Sequence, residues 1–175
     1  MRQDELAAVA RLLGLLLLRE IDGATLEQLR HPAVLKALES AGLEPPTDGA
    51  LEELAAQYFE YFVNPQLGRP LVQSICESGS YEGDAARGVR EVAAAANLEL
   101  DNEHLRGAPV DHLAVQLFLW SELQERDQEA AQEFGRRHLQ WAIPVLQHDK
   151  RSGYYANVCA ATADFLQVVM HESGS

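Results

Sequence analysis

The stretch Asp4–Glu20, DELAAVARLLGLLLLRE, carries apolar residues on nearly every face of a helix. A helix that is apolar all round must be surrounded, either by the rest of a core or by lipid. The run Leu12–Leu18 is far too short to span a bilayer, and Arg11 and Arg19 bracket it. Asp4 and Glu5 spoil the basic segment of a signal peptide, and no small-residue cleavage site follows. The expectation is therefore a buried central helix of a cytoplasmic protein.

Working outward, β-branched residues are few and never alternate over a useful length, so strands are not expected. Helix signals recur instead. Thr25 can cap a second helix running to about Ser40, with Leu26, Leu29, Leu35 and Leu38 inward and a break or kink at Pro32. Leu43–Gly49, LEPPTDG, reads as a linker. A third helix, about 50–63, carries Leu51, Leu54, Tyr58, Phe59 and Phe62. Then comes a long passage, Asn64–Asp84, whose prolines and glycines argue against one continuous element, though Pro70–Cys76 can form a short helix. A passage of this length in a compact domain is usually functional or mobile. Four more helices are expected near 84–97, 109–125, 127–147 and 152–171, with Asp84, Asp127 and Ser152 as caps and a kink at Pro144. The expected fold is all-α: a single-domain helical bundle over 1–175 with a hinge loop at about 64–84.

Composition excludes several classes of partner. With 27 acidic and 14 basic residues the formal net charge is −13, which repels nucleic acid and anionic membranes and favours basic partners. The same acidity also serves solubility. Cys76 and Cys159 are isolated, with no CxxC, and read as small core residues in a reducing compartment.

The residues that could carry chemistry do not assemble into a catalytic signature. There is no glycine-rich phosphate loop, no GxSxG and no HExxH. The six histidines never pair at the i, i+4 spacing of a helical metal face, and adjacent His148 and Asp149 diverge on a helix, so no metal is expected. Asp111 and His112, in Pro109-Val110-Asp111-His112, are adjacent and cannot form a catalytic dyad within a regular helix. Proline in a first turn loses nothing, and an Asp there meets free backbone N–H groups, so PVDH reads as a helix start. Arg136-Arg137 reads as a solvated helix face, with Glu133 or Gln140 as neighbours. No enzyme activity is indicated.

Four segments together resemble the TorD/DmsD/NarJ family of chaperones that mature molybdenum-containing redox enzymes. They are Tyr61–Pro65 (YFVNP), followed by Pro70 and Ser74; Pro109–Leu123 (PVDHLAVQLFLWSEL); Phe134–Leu146 (FGRRHLQWAIPVL); and Tyr154–Leu166 (YYANVCAATADFL). Gln116 stands where the family often has Glu. The matching region runs from about Phe59 to Leu166, and P-x-D-H followed by H-L-x-x-W is its most specific part.

The resemblance implies an all-α fold in which the Asn64–Asp84 passage and the approach to Pro109 meet as a hinge. It implies a cytoplasmic chaperone that binds the N-terminal, twin-arginine type signal peptide of a molybdoenzyme catalytic subunit, holding it for cofactor insertion. No cofactor of the chaperone's own is expected, no nucleic acid and no stable membrane insertion, and the protein is expected to be a monomer, with a domain-swapped dimer as the alternative. Tyr61, Phe62, Pro65, Pro70, Leu71, Tyr81, Pro109, Asp111 and His112 are the candidate peptide-binding residues, with Leu113 beside them. Asp111 would both cap its helix and accept from a client arginine, and its helix end would be exposed. The other open reading is a non-enzymatic helical adaptor or assembly subunit with a different basic partner.

Overall fold

The structure is a computed structural model that describes residues 2–101, 103–148 and 151–172. Its helices are α1 (Gln3–Leu18), α2 (Gly23–Leu29), α3 (Pro32–Ser40), α4 (Leu51–Tyr58), α5 (Gln73–Ser78), α6 (Asp84–Ala95), α7 (Leu113–Arg126), α8 (Gln128–His138), α9 (Ala142–Gln147) and α10 (Tyr154–Glu172). Among the described residues there is no strand, only one isolated antiparallel bridge between Val72 and His112.

α1 lies where its composition requires. Leu6, Leu13, Leu16 and Leu17 are fully buried in the main hydrophobic cluster, each stabilising the fold by about 1.5–3 kcal/mol through burial. Its principal partner is α7. The two backbones approach so closely at Gly14 that an added Cβ would lie 2.8 Å from the Phe118 ring and 3.1 Å from the Ala114 carbonyl. A larger residue there would force the Phe118 ring and the helix crossing to shift.

Several boundaries differ from the sequence expectation for local reasons. Asp22, not Thr25, caps α2, its side chain accepting from the Thr25 N–H at 2.7 Å. Of the break or kink expected at Pro32, the structure shows the break: Pro32 starts a separate helix, taking the first-turn position where its missing N–H costs nothing. Leu35 then falls on the outer side and is exposed, unlike Leu26, Leu29 and Leu38. Gly83 precedes α6 as its cap, so Asp84 sits inside the first turn and pairs with Arg87 at 2.6 Å. Asp127 does cap α8, accepting from the Ala130 N–H at 3.1 Å. The expected 127–147 helix is two helices, broken at Leu139–Trp141 before Pro144 is reached. At α10 the first backbone bond runs from the Asn157 N–H to the Gly153 carbonyl, which puts Gly153 rather than Ser152 in the cap position. Cys159 is buried, but Cys76 is exposed and is no core residue.

After α4 the helix widens into a π turn, Phe59–Val63, with the Asn64 N–H reaching the Phe59 carbonyl at 2.8 Å. The wider turn rotates Tyr61 inward and Phe59 and Val63 outward. Tyr58, Phe62 and Tyr155 form an edge-packed cluster, and the Tyr155 hydroxyl accepts from the Ile21 N–H at 3.1 Å. Tyr155, at the start of α10, thereby ties the π turn to the chain that follows α1.

Candidate functional site

The chain after the π turn is folded by specific local bonds. The Asn64 side chain accepts from the Gln66 and Leu67 N–H groups at 2.9 and 3.2 Å, and the Gly68 N–H returns to the Asn64 carbonyl at 2.7 Å. A Cβ at Gly68 would fall 2.5 Å from that carbonyl, so glycine is required. The Arg69 N–H then bonds the Tyr61 carbonyl at 2.8 Å, and the Arg69 guanidinium reaches the Val145 carbonyl at 3.1 Å.

The passage next meets the approach to α7, forming a joint. The Gln73 N–H donates to the Asp111 carbonyl at 3.0 Å, and the Leu113 N–H donates to the Leu71 carbonyl at 2.8 Å. Asp111 adds its side chain: one oxygen accepts from the Ser74 N–H at 2.8 Å. That N–H belongs to the unsatisfied first turn of α5, so Asp111 caps α5 across the joint and not its own helix. The cap of α7 is His112, whose Nδ1 accepts from the Ala114 N–H at 3.1 Å. The expected exposure of this end also fails, for Asp111 is 0% exposed. Its second oxygen, Oδ1, is buried with no donor.

Behind the joint lies a buried polar network that the sequence reading did not single out. Gln73 Oε1 accepts from the Gln116 amide at 2.7 Å and lies 3.2 Å from His138 Nδ1. The Gln73 amide donates to Glu77 at 2.8 Å and to the Arg137 carbonyl at 3.2 Å. Gln116 Oε1 accepts from the Trp141 indole N–H at 3.0 Å, and that N–H also meets the His138 carbonyl at 2.9 Å. Since Gln73 Oε1 can only accept, the network assigns the His138 proton to Nδ1 and leaves Nε2 a bare acceptor. Nε2 is buried without a partner. It faces α6, where a Cβ on Gly88 would stand 3.2 Å from it and 2.9 Å from Cε1. The one clue in the sequence was the motif H-L-x-x-W itself, which contains both His138 and Trp141.

Both histidines hold protons weakly. Burial pushes His112 down to about 4, opposed by nearby Asp111. Burial and then the Arg137 charge push His138 down to about 4 as well. Each is neutral at pH 7 and acts through a fixed tautomer.

The candidate peptide residues fall into two groups. Tyr61, Leu71, Leu113 and Asp111 are buried, Phe62, Pro109 and His112 half-buried. Tyr81, Pro65 and Pro70 are exposed. Phe59, Val63 and Leu67, at four-residue spacing, add large exposed apolar side chains: 50%, 53% and 61% exposed. Glu60, Glu77 and Glu82 lie along the same stretch. The Arg151 guanidinium lies 3.9 Å from the Tyr61 ring centroid and donates to the Glu60 carbonyl at 2.8 Å. Arg136 and Arg137 are exposed, as expected of a solvated face. No group of three or more potential metal ligands occurs among the described residues; Asp149, considered with His148, lies outside them. No described helix is long and apolar enough to cross a membrane.

Comparison with known proteins agrees with this architecture. A candidate redox enzyme maturation protein from Archaeoglobus fulgidus, of known crystal structure, is similar to this chain with a TM-score of 0.62 and 22% identity, covering 95% of this chain and 94% of its own. At that identity the likeness establishes the fold. No protein of curated function matches the chain. The family described as nitrate reductase delta subunit matches residues 22–160, which takes in the central part of α1's packing partners, the joint, the buried network and the start of α10. This chain belongs to that family, whose members are chaperones of redox enzyme maturation and not catalysts.

Proposed function

We propose that the protein acts in the cytoplasm on the N-terminal signal peptide of a molybdenum-containing oxidoreductase subunit, of the twin-arginine type, and holds that subunit until its cofactor is inserted before export or assembly. The observation that carries this reading is the joint between the 64–84 passage and α7. There a buried Asp111 carboxyl group has one oxygen bonded to Ser74 and the other without a donor. A buried acceptor left open costs about 1–3 kcal/mol, and an arginine donor relieves that cost. The peptide's basic part would meet the acidic surface and, once the joint opens, Asp111. Its apolar part would lie over Phe59, Val63, Leu67 and Tyr81, with Pro65, Pro70 and Pro109 shaping the approach and His112 at the wall. Tyr61, Phe62 and Leu71 support that surface from beneath.

A titration tests the reading. Synthetic twin-arginine signal peptide should bind at about micromolar strength and weaken as salt rises, because acid–base attraction is screened while apolar burial is not. Equal binding of a scrambled acidic peptide would overturn it.

A further inference from the structure

A cleft of the molecule lies away from the joint. It has a volume of about 540 Å³ and opens between α1, α7 and residues 98–101 and 104–105. That volume is in the range of small-molecule sites, typically about 300–1,000 Å³. Leu15, Leu18, Leu98, Val115 and Phe118 make its walls apolar. Two of those walls belong to α1 and α7, the pair of helices locked together at Gly14, so the cleft is preformed.

Its polar groups are not equivalent. Arg11 is paired with Glu122 at 3.1 Å and with Glu125 at 2.7 Å. Asp101 is paired with His104 at 2.5 Å, and that hydrogen bond holds its carboxyl below the usual range. Arg19 differs. Its Nε is buried and has no acceptor, although the side chain lines the cleft. Asp22 is near enough to feel the Arg19 charge, but it is held first by the Thr25 N–H, and it forms no ion pair with Arg19. Glu99 also lines the cleft without an ion pair to Arg19.

We infer that this cleft binds a small apolar carboxylate, a molecule with a hydrocarbon or aromatic body whose carboxylate pairs with Arg19. Nε is closed to solvent, so the edge open to a ligand is the terminal one, where one N–H of each Nη lies parallel. Two carboxylate oxygens match that edge in a bidentate pair, whereas a hydroxyl meets only one donor. The apolar body fills the space between α1 and α7 and is removed from water by the leucine and phenylalanine walls.

The test uses decanoate and decanol as matched probes on the intact chain, titrated by calorimetry and followed by NMR at the Leu15 and Val115 methyl groups. Decanoate should bind at least ten-fold more tightly than decanol and should shift those methyls. Arg19→Gln should erase the difference between the two probes while leaving decanol binding unchanged. Leu98→Trp, on the loop side of the cleft, should remove binding of both, and a melting curve on each variant confirms that it is folded. Equal affinity for the two probes, no binding of either, or decanoate binding that survives both substitutions would overturn the assignment.

Discussion

Asp111 is the side chain whose replacement tests the joint most directly. The structure gives it one strong bond, from the Ser74 N–H at 2.8 Å, in a fully buried setting. A bond to a charged acceptor contributes about 1.5–3 kcal/mol, and a neutral one about 0.5–1.5 kcal/mol. Asp111→Asn keeps an acceptor for Ser74 and should cost about 1 kcal/mol. Asp111→Ala leaves the N–H of a buried helix turn without an acceptor and opens a small void, for about 2–3 kcal/mol. In a chain of 175 residues that corresponds to a fall in Tm of roughly 4–12 °C. The assay pairs urea or thermal unfolding with amide exchange read at Ser74, whose N–H should lose protection in the Ala variant before the neighbouring helices do. If Asp111→Ala melts with wild-type stability and keeps Ser74 protected, Asp111 does not hold the joint. Peptide titration separates a second effect: a client arginine on Asp111 Oδ1 makes folded Asp111→Asn bind about 1.5–3 kcal/mol more weakly. Wild-type affinity there would remove Asp111 from the client site.

The remaining expectations concern the elements around it. Gly88→Ala places a Cβ 2.9 Å from the buried His138 ring; overpacking costs about 1–3 kcal/mol and exceeds the gain of about 1 kcal/mol in helix propensity, so chemical denaturation should show a loss, and a stabilised variant would refute the packing. His112 and His138 are depressed to about 4 in the fold from an ordinary 6.5, so their stabilising effect is complete above pH 6.5 and lost as pH falls toward 4. By pH 5 the loss should be on the order of 1–2 kcal/mol for each, discounted for the half-buried His112; His112→Asn, which still caps α7, should flatten the profile between pH 7 and 5, and an unchanged wild-type urea midpoint over that range would refute the shifts. Amide exchange across 64–84 should slow on saturation with signal peptide, and unchanged exchange would take the passage out of the binding site.

How much of the fold the sequence disclosed follows from what each signal depends on. The centrality of α1 needed only composition, since no other place accepts Leu12–Leu18. Helix ends were harder because several residues could each cap, and the backbone entry angle decides among them: Asp22 over Thr25, His112 over Asp111. The break after α8 was not legible at all. Leu139-Gln140-Trp141 is acceptable helix sequence. The structure ends the helix there because the Trp141 indole N–H takes the His138 carbonyl, and the Ala142 N–H goes to Leu139 instead at 3.1 Å. The same indole N–H also meets Gln116 Oε1 at 3.0 Å, so a tertiary contact holds in place the local bond that overrides the helix preference.

The site was legible to the extent that its residues sit in recognisable motifs, and hidden to the extent that its bonds are long-range. Ser74 and Asp111 are 37 positions apart, Gln73 and His138 65 positions apart. Periodicity within a window of one helix cannot report a pairing at that distance. The consequence is a division of labour in the joint. Its backbone bonds come from the short bridge at Val72 and His112, too short to be stable alone. The side-chain network of Gln73, Gln116, His138 and Trp141 therefore supplies the persistence, from α5, α7, α8 and the turn after α8, none of which bears the exposed apolar residues. Gln73 belongs to both, since its N–H makes a bond of the joint while its side chain anchors the network, so loosening the bridge must also strain that network.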